Sequence, residues 1–526
     1  MSGTLKKLLS GNEAIALGAL HSGCALGIGY PGTPSSEILE TFSILGAKAQ
    51  WAPNEKVAAE VALGVAFAES SVLVTMKHVG FNVAQDLFFT ASYSGIQGAY
   101  VAIVADDPGM ASSQNEQDTR SLAFVGGLPV LEPSNSQEAY EFTKLAFELS
   151  REYKIPFIVR TTTRIAHTNA IVEYVDLSVP KAGANFTRDI GSRVMVPGNA
   201  KRGHFRLREK LSKLAEYNNK SPLCIETDGD KELGIISSGI AYMHALEAVP
   251  SAGFLKIAMS NPLPMEKVKE FCKKYKKVIV IEEGDPYMTN LFRAEGILNV
   301  QARVEKWRFG ELNVDRVIAQ AKGDLNDEDI VVKSKSPQLC KGCPHTFSFE
   351  IFKELDCIVA GDIGCYTLAA MIGAMDMQIC MGASIGMGLG MRYVLPENQA
   401  RRVVSVIGDS TFMHSGLTGL LDMVYNLPET GHVVVVVDNS TTAMTGQQEH
   451  PGTGFSLDGK PAHKVIIEDV AKAIGIKNVA VFNPVREKDA YKNFLSEKLQ
   501  TNESTLIVLR QPCILAASQR AKSKNS

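Results

Sequence analysis

The feature that most constrains the fold is a strand–helix–strand pattern in the last third of the chain. Two apolar, β-branched runs, residues 402–407 and 433–437, are typical of buried parallel strands, and each ends at polar residues. The carboxyl ends of such strands meet at one edge of a sheet, so Asp409 and Asn439, about thirty residues apart, should converge there. Their oxygen atoms suit Mg²⁺ that keeps phosphate and water ligands, and the helix start after Gly408 favours a diphosphate.

This stretch resembles the diphosphate motif of thiamine-diphosphate enzymes, Gly-Asp-(Gly or Ser) followed about thirty residues later by Asn. By that resemblance, Gly408, Asp409 and Ser410 contact the cofactor, while the side chains of Asp409 and Asn439 bind Mg²⁺. The backbone carbonyl of Thr441 completes the protein ligands. The alternative is an ordinary βαβ unit of a nucleotide-binding type of fold with two polar loops.

The first 175 residues alternate short apolar runs with helical patterns, which predicts an α/β domain. One predicted helix begins at Glu55 and has small residues along it that allow close packing. Its Glu-x-x-Ala-Ala start resembles the pyrimidine-binding domain of thiamine-diphosphate enzymes, where the glutamate hydrogen-bonds N1′ of the aminopyrimidine and promotes its imino tautomer. The alternative for Glu55 is a carboxylate that favours the helix dipole. Glu60 should face solvent or a subunit boundary.

The pattern of segments predicts a multi-domain α/β protein with doubly wound parallel sheets. The resemblance implies two such sheets, one for each end of the cofactor. The predicted domains are a pyrimidine-binding domain (1–175), a connector (176–228), a domain similar to the transketolase C-terminal domain (229–330) and a diphosphate-binding domain (331–526). The connector has a less regular pattern of apolar residues than the domains. Its basic residues indicate a solvated face: Lys201, Arg202, Arg206, Arg208 and Lys210. Residues 326–336 are charged and suit a linker.

Composition excludes several classes of protein. The net charge of −3 and the pI near 6.4 give no general attraction to nucleic acid or anionic membranes. The apolar runs are far shorter than a bilayer span, and helical periodicity explains the N-terminal leucines better than a signal peptide does. We therefore expect a cytoplasmic protein.

The nine cysteines are too few for a disulfide scaffold and are expected as thiols or ligands. Cys340 and Cys343 form a Cys-x-x-Cys that fits a redox pair, half of a zinc site or half of a cluster site. Five others lie in apolar or mixed surroundings, where a small buried side chain is the default: Cys24, Cys224, Cys272, Cys357 and Cys380.

Taken together, the motifs resemble the large (α) subunits of the indolepyruvate:ferredoxin oxidoreductase family of 2-oxoacid:ferredoxin oxidoreductases. The matching stretches include GYPGTPSSE, WAPNEKVAAE, VTMKHVGFNVAQD, CKGCPH, GDIGCYTL, GDSTFMHSG and DNSTTAMTGQQEHPGTG. The resemblance implies oxidative decarboxylation of an aryl 2-oxoacid, such as indolepyruvate or phenylpyruvate, on thiamine diphosphate. It also implies transfer of the acyl group to coenzyme A, electron transfer to ferredoxin or a ferredoxin-like subunit, and a small β subunit in a dimer of heterodimers.

The resemblance implies further site residues. Thr33 is a candidate for contacting substrate, and the histidines of the matching motifs are candidates for moving protons: His78, His414 and His450. Gly364 and Met444 are expected to contact the cofactor. One [4Fe–4S] cluster would be held by four thiolates, against the alternatives of buried thiols or zinc; the four residues are Cys340, Cys343, Cys365 and Cys513.

One departure from the family pattern affects the function. The family's large subunit commonly ends in a ferredoxin-like module with two cysteine-rich runs, but only thirteen residues follow Cys513 and they contain no such run. We expect those two clusters to be absent from this chain and supplied by a separate subunit. The alternatives are a non-oxidative thiamine-diphosphate decarboxylase that releases an aldehyde and a non-catalytic scaffold. Cluster content and thiamine-diphosphate binding distinguish them.

Overall fold

The computed structural model describes residues 4–175, 183–324 and 338–523. The chain divides into two compact units, Met1–Val331 and Val332–Ser526. The linker predicted at residues 326–336 lies outside the described residues. Within the described ranges, no helix combines the length and the apolar character needed to cross a bilayer.

The first unit is built on a seven-stranded sheet, whose strands are parallel except for one edge strand. In spatial order its strands are β12 (Met259–Asn261), β6 (Val130–Leu131), β7 (Phe157–Thr162), β5 (Tyr100–Asp106), β4 (Val72–Lys77), β2 (Leu26–Gly29) and β3 (Ala49–Trp51). The two central strands β4 and β5 are buried along their whole length, as their apolar sequences predict.

Eight helices belong to the same part of the first unit. They are α1 (Gly11–His21), α2 (Ser36–Ile44), α3 (Glu55–Phe67), α4 (His78–Val83), α5 (Gln85–Ser94), α6 (Thr119–Gly126), α7 (Ser136–Tyr153) and α8 (Thr163–His167). A separate antiparallel pair, β1 (Thr4–Ser10) and β8 (Asn169–Val175), joins the two ends of this segment. Helix α1 begins at a capping box between Ser10 and Glu13, which satisfies backbone N–H groups that the helix itself leaves free.

The segment interpreted as a less regular connector is largely helical, so that interpretation is wrong for residues 190–220. It contains α9 (Ile190–Arg193) and the 24-residue α10 (Pro197–Lys220). The buried positions of α10 follow a helical spacing, but only Leu207 and Leu214 among them are strongly apolar. The predicted basic residues lie mostly on the exposed side of this helix.

A five-stranded sheet completes the first unit. In spatial order its strands are β14 (Val300–Gln301), β13 (Lys277–Ile281), β10 (Leu233–Ser237), β11 (Gly253–Lys256) and the antiparallel edge strand β9 (Glu226–Thr227). Its helices are α11 (Gly239–Ala248), α12 (Met265–Cys272), α13 (Tyr287–Ala294) and α14 (Val314–Lys322), with a 3₁₀ turn at Glu305–Arg308. Strand β12 comes from this stretch of sequence but pairs with β6 of the seven-stranded sheet.

A buried network of charges joins the two sheets of the first unit. Arg120 has no exposed surface; its guanidinium binds Asp118 at 2.6 Å and Glu282, at the end of β13, at 3.0 Å. Arg160 on β7 binds Asp106 and Glu132, each at 2.6 Å. These arginines therefore have carboxylate partners inside the protein.

The second unit contains one all-parallel sheet of five strands. In spatial order they are β15 (Ile358–Ala360), β16 (Val403–Gly408), β17 (His432–Asp438), β19 (Ser504–Arg510) and β18 (Asn478–Phe482). The helices are α15 (Pro344–Glu354), α16 (Ala383–Val394), α17 (Glu397–Ala400), α18 (Asp409–Thr411), α19 (Leu417–Tyr425), α20 (Ile467–Ile474), α21 (Lys488–Leu499) and α22 (Ile514–Ser523). A 3₁₀ helix covers Cys365–Ile372, and a π-helical turn, Phe412–Gly416, joins α18 to α19. The predicted doubly wound α/β fold is confirmed.

Candidate active site

The carboxyl edge of the second unit's sheet brings together the two loops that the sequence places there. Strands β16 and β17 are parallel, with Gly408 opposite Val437, so the residues after them start at the same edge. Asp409 and Asn439 are both buried, and Asp409 Oδ2 accepts the backbone N–H of Ser440 at 2.8 Å. The loops are thus in direct contact at the predicted point.

Asp409 carries a charge that the surrounding protein only partly compensates. Burial raises the pKa of Asp409, the hydrogen bond with His450, whose Nε2 lies 3.1 Å from Oδ2, opposes that increase, and the neighbouring carboxylate of Asp438 adds to it. A buried carboxylate in such surroundings favours a nearby cation. His450, which the sequence singled out, is therefore part of this edge.

Asn439 connects the sheet edge at Asp409 to the cysteine motifs. Its Oδ1 accepts the backbone N–H of Thr441 at 3.1 Å, and its Nδ2 donates to Nε2 of His345 at 3.3 Å. Its carbonyl accepts the backbone N–H of Cys513 at 2.9 Å. Burial lowers the pKa of His345 to about 4, so the imidazole is neutral at physiological pH and Nε2 can accept. His345 ends the CKGCPH motif, but the sequence alone gives no role for it.

The donors at this edge fit Mg²⁺ better than a metal held by protein side chains alone. One carboxylate, one amide oxygen and one backbone carbonyl leave room for phosphate oxygens and water, as Mg²⁺ requires. Among the described residues, no three His, Cys, Asp or Glu side chains are grouped closely enough to enclose a metal ion. Asp409, Asn439 and Thr441 are all buried.

The four cysteines named for a cluster line one cavity, although they come from three separate parts of the sequence. Cys340 and Cys343 precede α15, Cys365 opens the 3₁₀ helix and Cys513 precedes α22. The other lining residues are mainly apolar and include Leu339, Leu368, Ile514 and Leu515, together with His345 and Asn439. Burial, with a smaller contribution from the neighbouring thiols, raises the pKa of Cys365 to about 11 and also raises that of Cys343. The four thiols are too far apart to enclose a single metal ion, but four thiolates are the ligands of a [4Fe–4S] cluster, whose irons span a wider gap, so the chemistry of this donor set fits a cluster.

Two residues that sequence analysis did not assign hold the Cys365 loop in place. The buried carboxylate of Asp362 accepts backbone N–H groups from Gly382 at 2.8 Å and Ser384 at 3.0 Å, at the start of α16. The Tyr366 hydroxyl accepts the N–H of Gly408 at 2.9 Å and donates to the carbonyl of Ile363 at 3.0 Å. The Asp in GDIGC was a visible signal for the first residue; nothing in the sequence pairs Tyr366 with Gly408.

Three predicted residues of the second unit lie outside these hydrogen bonds. Gly364 is the residue before the 3₁₀ helix, and it faces the ring of Tyr366. His414 is buried in the π-helical turn, where Nδ1 lies 2.7 Å from the hydroxyl of Ser415. Met444 is 52% exposed in the loop that follows Thr441.

In the first unit, Glu55 is the first residue of α3 and is 5% exposed. The side chain of Asn54 caps the helix by accepting the N–H of Val57 at 2.8 Å. Glu55 lies directly against the backbone of Gly80, which has no side chain to displace it. Glu60 is exposed and pairs with Lys56, as expected for a residue that faces away from the site.

The other predicted residues of the first unit are placed on neighbouring loops and helix ends. His78 begins α4 and is fully buried, and its Nε2 lies 3.2 Å from the carbonyl oxygen of Asn115. Burial lowers the pKa of His78. Thr33 lies half-buried in the loop between β2 and α2.

Comparison with known proteins gives matches to both units. Residues 17–189 match the family described as pyruvate flavodoxin/ferredoxin oxidoreductase, thiamine diphosphate-binding, and residues 362–509 match the C-terminal thiamine pyrophosphate-binding domain of thiamine pyrophosphate enzymes. A protein of Archaeoglobus fulgidus named indolepyruvate oxidoreductase subunit IorA is 38% identical, over 98% of this chain and 87% of that protein. The protein of the same name from Pyrococcus horikoshii is 36% identical, over 97% and 86%.

Among solved structures, a 2-oxoglutarate:ferredoxin oxidoreductase from Magnetococcus marinus matches with a TM-score of 0.51 and 16% sequence identity. The match covers 61% of this chain and 65% of that chain. At this identity the likeness supports the fold alone.

Proposed function

The chain belongs to the indolepyruvate oxidoreductase subunit IorA family, and from that premise we propose that it converts an aryl 2-oxoacid to its acyl-coenzyme A thioester and passes the electrons to ferredoxin or a similar iron–sulfur protein. It is a subunit of a thiamine-diphosphate-dependent 2-oxoacid oxidoreductase. The aryl substrate, coenzyme A and the electron acceptor are the proposed parts.

The observation that carries the proposal is the position of Asn439. This residue lies near Asp409, at the carboxyl edge of the sheet, and it also contacts His345 and Cys513 of the cysteine cavity. A non-oxidative decarboxylase needs no redox group near its cofactor. Four cysteines beside the proposed diphosphate site therefore favour oxidative over non-oxidative decarboxylation of the 2-oxoacid.

The residues of the chain take the following roles in the proposal. Asp409, Asn439 and the carbonyl of Thr441 hold Mg²⁺ and, through it, the diphosphate, while Gly408 and Ser410 lie beside them. The Glu55 carboxylate hydrogen-bonds the aminopyrimidine and holds the proton exchanged there. Bound thiamine diphosphate supplies the electron sink for decarboxylation, and the protein supplies position and electrostatics.

The remaining site residues have proposed roles at the periphery. Thr33 contacts the substrate, and Gly364 and Met444 contact the cofactor. His78, His414 and His450 are the candidates for moving protons, and all three are buried in their units. The thiolates that hold one [4Fe–4S] cluster are those of Cys340, Cys343, Cys365 and Cys513.

The proposed assembly contains a second kind of chain. A protein named as subunit IorA implies a partner subunit, and we propose a small β subunit in a dimer of heterodimers. Ferredoxin, or a ferredoxin-like subunit, takes the electrons one at a time.

The test is anaerobic analysis of iron and acid-labile sulfide in the complex with its small subunit, with visible spectra before and after addition of indolepyruvate. We expect about four irons per chain, as one cubane requires, and bleaching on addition of substrate. Cys365→Ser should lose the iron, whereas Cys380→Ser, a matched change at an exposed thiol outside the cavity, should keep it. Iron-free protein that releases an aldehyde from the oxoacid would instead identify a non-oxidative decarboxylase.

A further inference from the structure

Gly80 lies where any side chain would meet Glu55. A Cβ at residue 80 would be 2.6 Å from Oε1 of Glu55 and 2.7 Å from its Cδ, and closer still to its Cγ. Real Cβ atoms essentially never approach other heavy atoms within 3.0 Å. A side chain at residue 80 would therefore have to displace the outer part of the Glu55 side chain.

The backbone at this position does not itself require glycine. Gly80 is absent from the described residues that have positive φ, and it lies within α4, where alanine is a better helix former. A glycine at this position carries a cost in helix stability. The reason for a glycine here is therefore the space that it leaves, and the group filling that space is Glu55.

The surroundings prevent the two helices from moving apart easily. Ala58, Ala59 and Ala62 of α3 have no exposed surface, and Phe81, next to Gly80, belongs to the same hydrophobic core. Protein interiors are closely packed, so a shift of either helix would disturb these contacts. The Glu55 side chain, which is at the start of its helix, is the part that would be displaced.

We propose that Gly80 is the positioning residue for Glu55: the missing side chain lets the carboxylate lie across α4 at the place where it meets the aminopyrimidine. The inference rests on the proposed function, because it takes Glu55 as the group that contacts the cofactor. It explains why a glycine stands in the Lys-His-Val-Gly-Phe stretch that follows β4. Gly80 then determines the position of the Glu55 carboxylate and leaves its charge unchanged.

The test compares variants of the complex with its small subunit, purified anaerobically. Gly80→Ala should reduce kcat at least tenfold and alter the near-ultraviolet circular dichroism of bound thiamine diphosphate, while Mg²⁺–thiamine diphosphate still binds. Gly64→Ala is the matched control on α3, because a Cβ there meets no atom within 4 Å. It should leave activity and spectrum unchanged.

A second variant separates displacement of Glu55 from general damage. Glu55→Ala removes Cγ, Cδ and Oε1, the atoms that a Cβ at residue 80 would meet. Glu55→Ala itself should be inactive, so the readout is stability: Gly80→Ala should lower the Tm less in the Glu55→Ala background than in the wild-type protein. If Gly80→Ala does not fold, recovery of soluble protein in the double variant supports the inference, and an equally insoluble double variant overturns it.

Failure of this inference can be told apart from failure of the proposed function. If Glu55→Gln is inactive while Gly80→Ala keeps wild-type activity and spectrum, Gly80 has no positioning role and the proposed function stands. If Glu55→Gln itself keeps wild-type activity, the role of Glu55 and the positioning role of Gly80 both fall, while the proposed reaction stands. Wild-type complex that does not oxidise the 2-oxoacid would instead overturn the proposed function.

Discussion

The two units place buried charges in opposite situations. In the first unit, Arg120 and Arg160 are almost fully buried, and each binds two carboxylates. At the sheet edge of the second unit, Asp409 is just as buried, but its contacts are a backbone N–H, the imidazole of His450 and the neighbouring carboxylate of Asp438. The first arrangement pairs its charges within the protein, whereas the second suits the cation that we propose there.

This difference separates charged residues that stabilise the fold from charged residues that bind a ligand. Breaking a complete buried network leaves an unpaired charge and should reduce stability. Removing a charge that lacks a full partner should cost the folded protein little, because the desolvation penalty disappears with it, but should weaken ligand binding. Substitutions of charged residues in the two units can test this distinction.

Arg120→Met should give the largest loss of stability. The substitution leaves Asp118 and Glu282 buried without their arginine, which should cost about 3–5 kcal/mol of unfolding free energy. Thermal and urea denaturation of the purified chain measure it. Arg164→Met, which breaks the exposed pair with Glu311, is the matched control and should cost less than ~1 kcal/mol. Equal losses in the two variants would contradict a special role for the buried network.

Glu283→Gln should stabilise the protein at alkaline pH. Burial, opposed by Arg160, raises the pKa of Glu283 from 4.5 to about 7, so the folded protein holds this proton more tightly than the unfolded chain. Stability from this group is therefore complete below about pH 4.5 and is lost as pH rises toward 7. The variant should gain up to ~3 kcal/mol at pH 8 and nothing at pH 4. A Tm difference that is independent of pH would contradict this.

Asp409→Asn should weaken the binding of Mg²⁺ and thiamine diphosphate by at least ~10-fold, because the amide has no charge for the cation. The Tm of the cofactor-free protein should stay the same or rise, since the variant removes a buried carboxylate. Calorimetry and thermal denaturation measure the two quantities. Asp422→Asn, at an exposed carboxylate on α19, should change neither. A large loss of stability in Asp409→Asn would place this residue with Arg120 instead.

Glu60→Ala should have the smallest effect. The Lys56–Glu60 pair is exposed at both side chains, and pairs of this kind contribute at most about 0.5 kcal/mol. Denaturation at low and high salt measures it. A loss above ~1 kcal/mol would show that exposure is a poor guide to the energetics of charges in this protein.

The parts of the fold that could be predicted are those with a strong local signal. Strands β16 and β17 are mainly apolar, apart from Ser405 and His432, and lead directly into polar residues, so both the strands and the shared edge followed from the sequence. The α10 helix was missed because its buried positions include Gly203 and Asn218, which carry no hydrophobic periodicity. Local composition there resembles a solvated loop.

Contacts between residues that are far apart in the sequence are the second feature that could not be predicted. Arg120 and Glu282 are 162 residues apart, and no spacing rule connects them. The same holds for the pairing of Tyr366 with Gly408 and of His345 with Asn439. Candidate ligands of the site could be named from motifs, whereas the residues that orient those ligands required the three-dimensional arrangement.

The antiparallel pairing of β12 with β6 affects how the protein can be made. Residues 259–261 supply the edge strand of a sheet whose other strands are complete by residue 162, and Asn261 Nδ2 also donates to the carbonyl of Leu128 at 2.7 Å. Until the ribosome has released this later segment, the edge of β6 is open to pairing with other chains. A shortened gene that stops at residue 228 would leave that edge open permanently, and its product should aggregate.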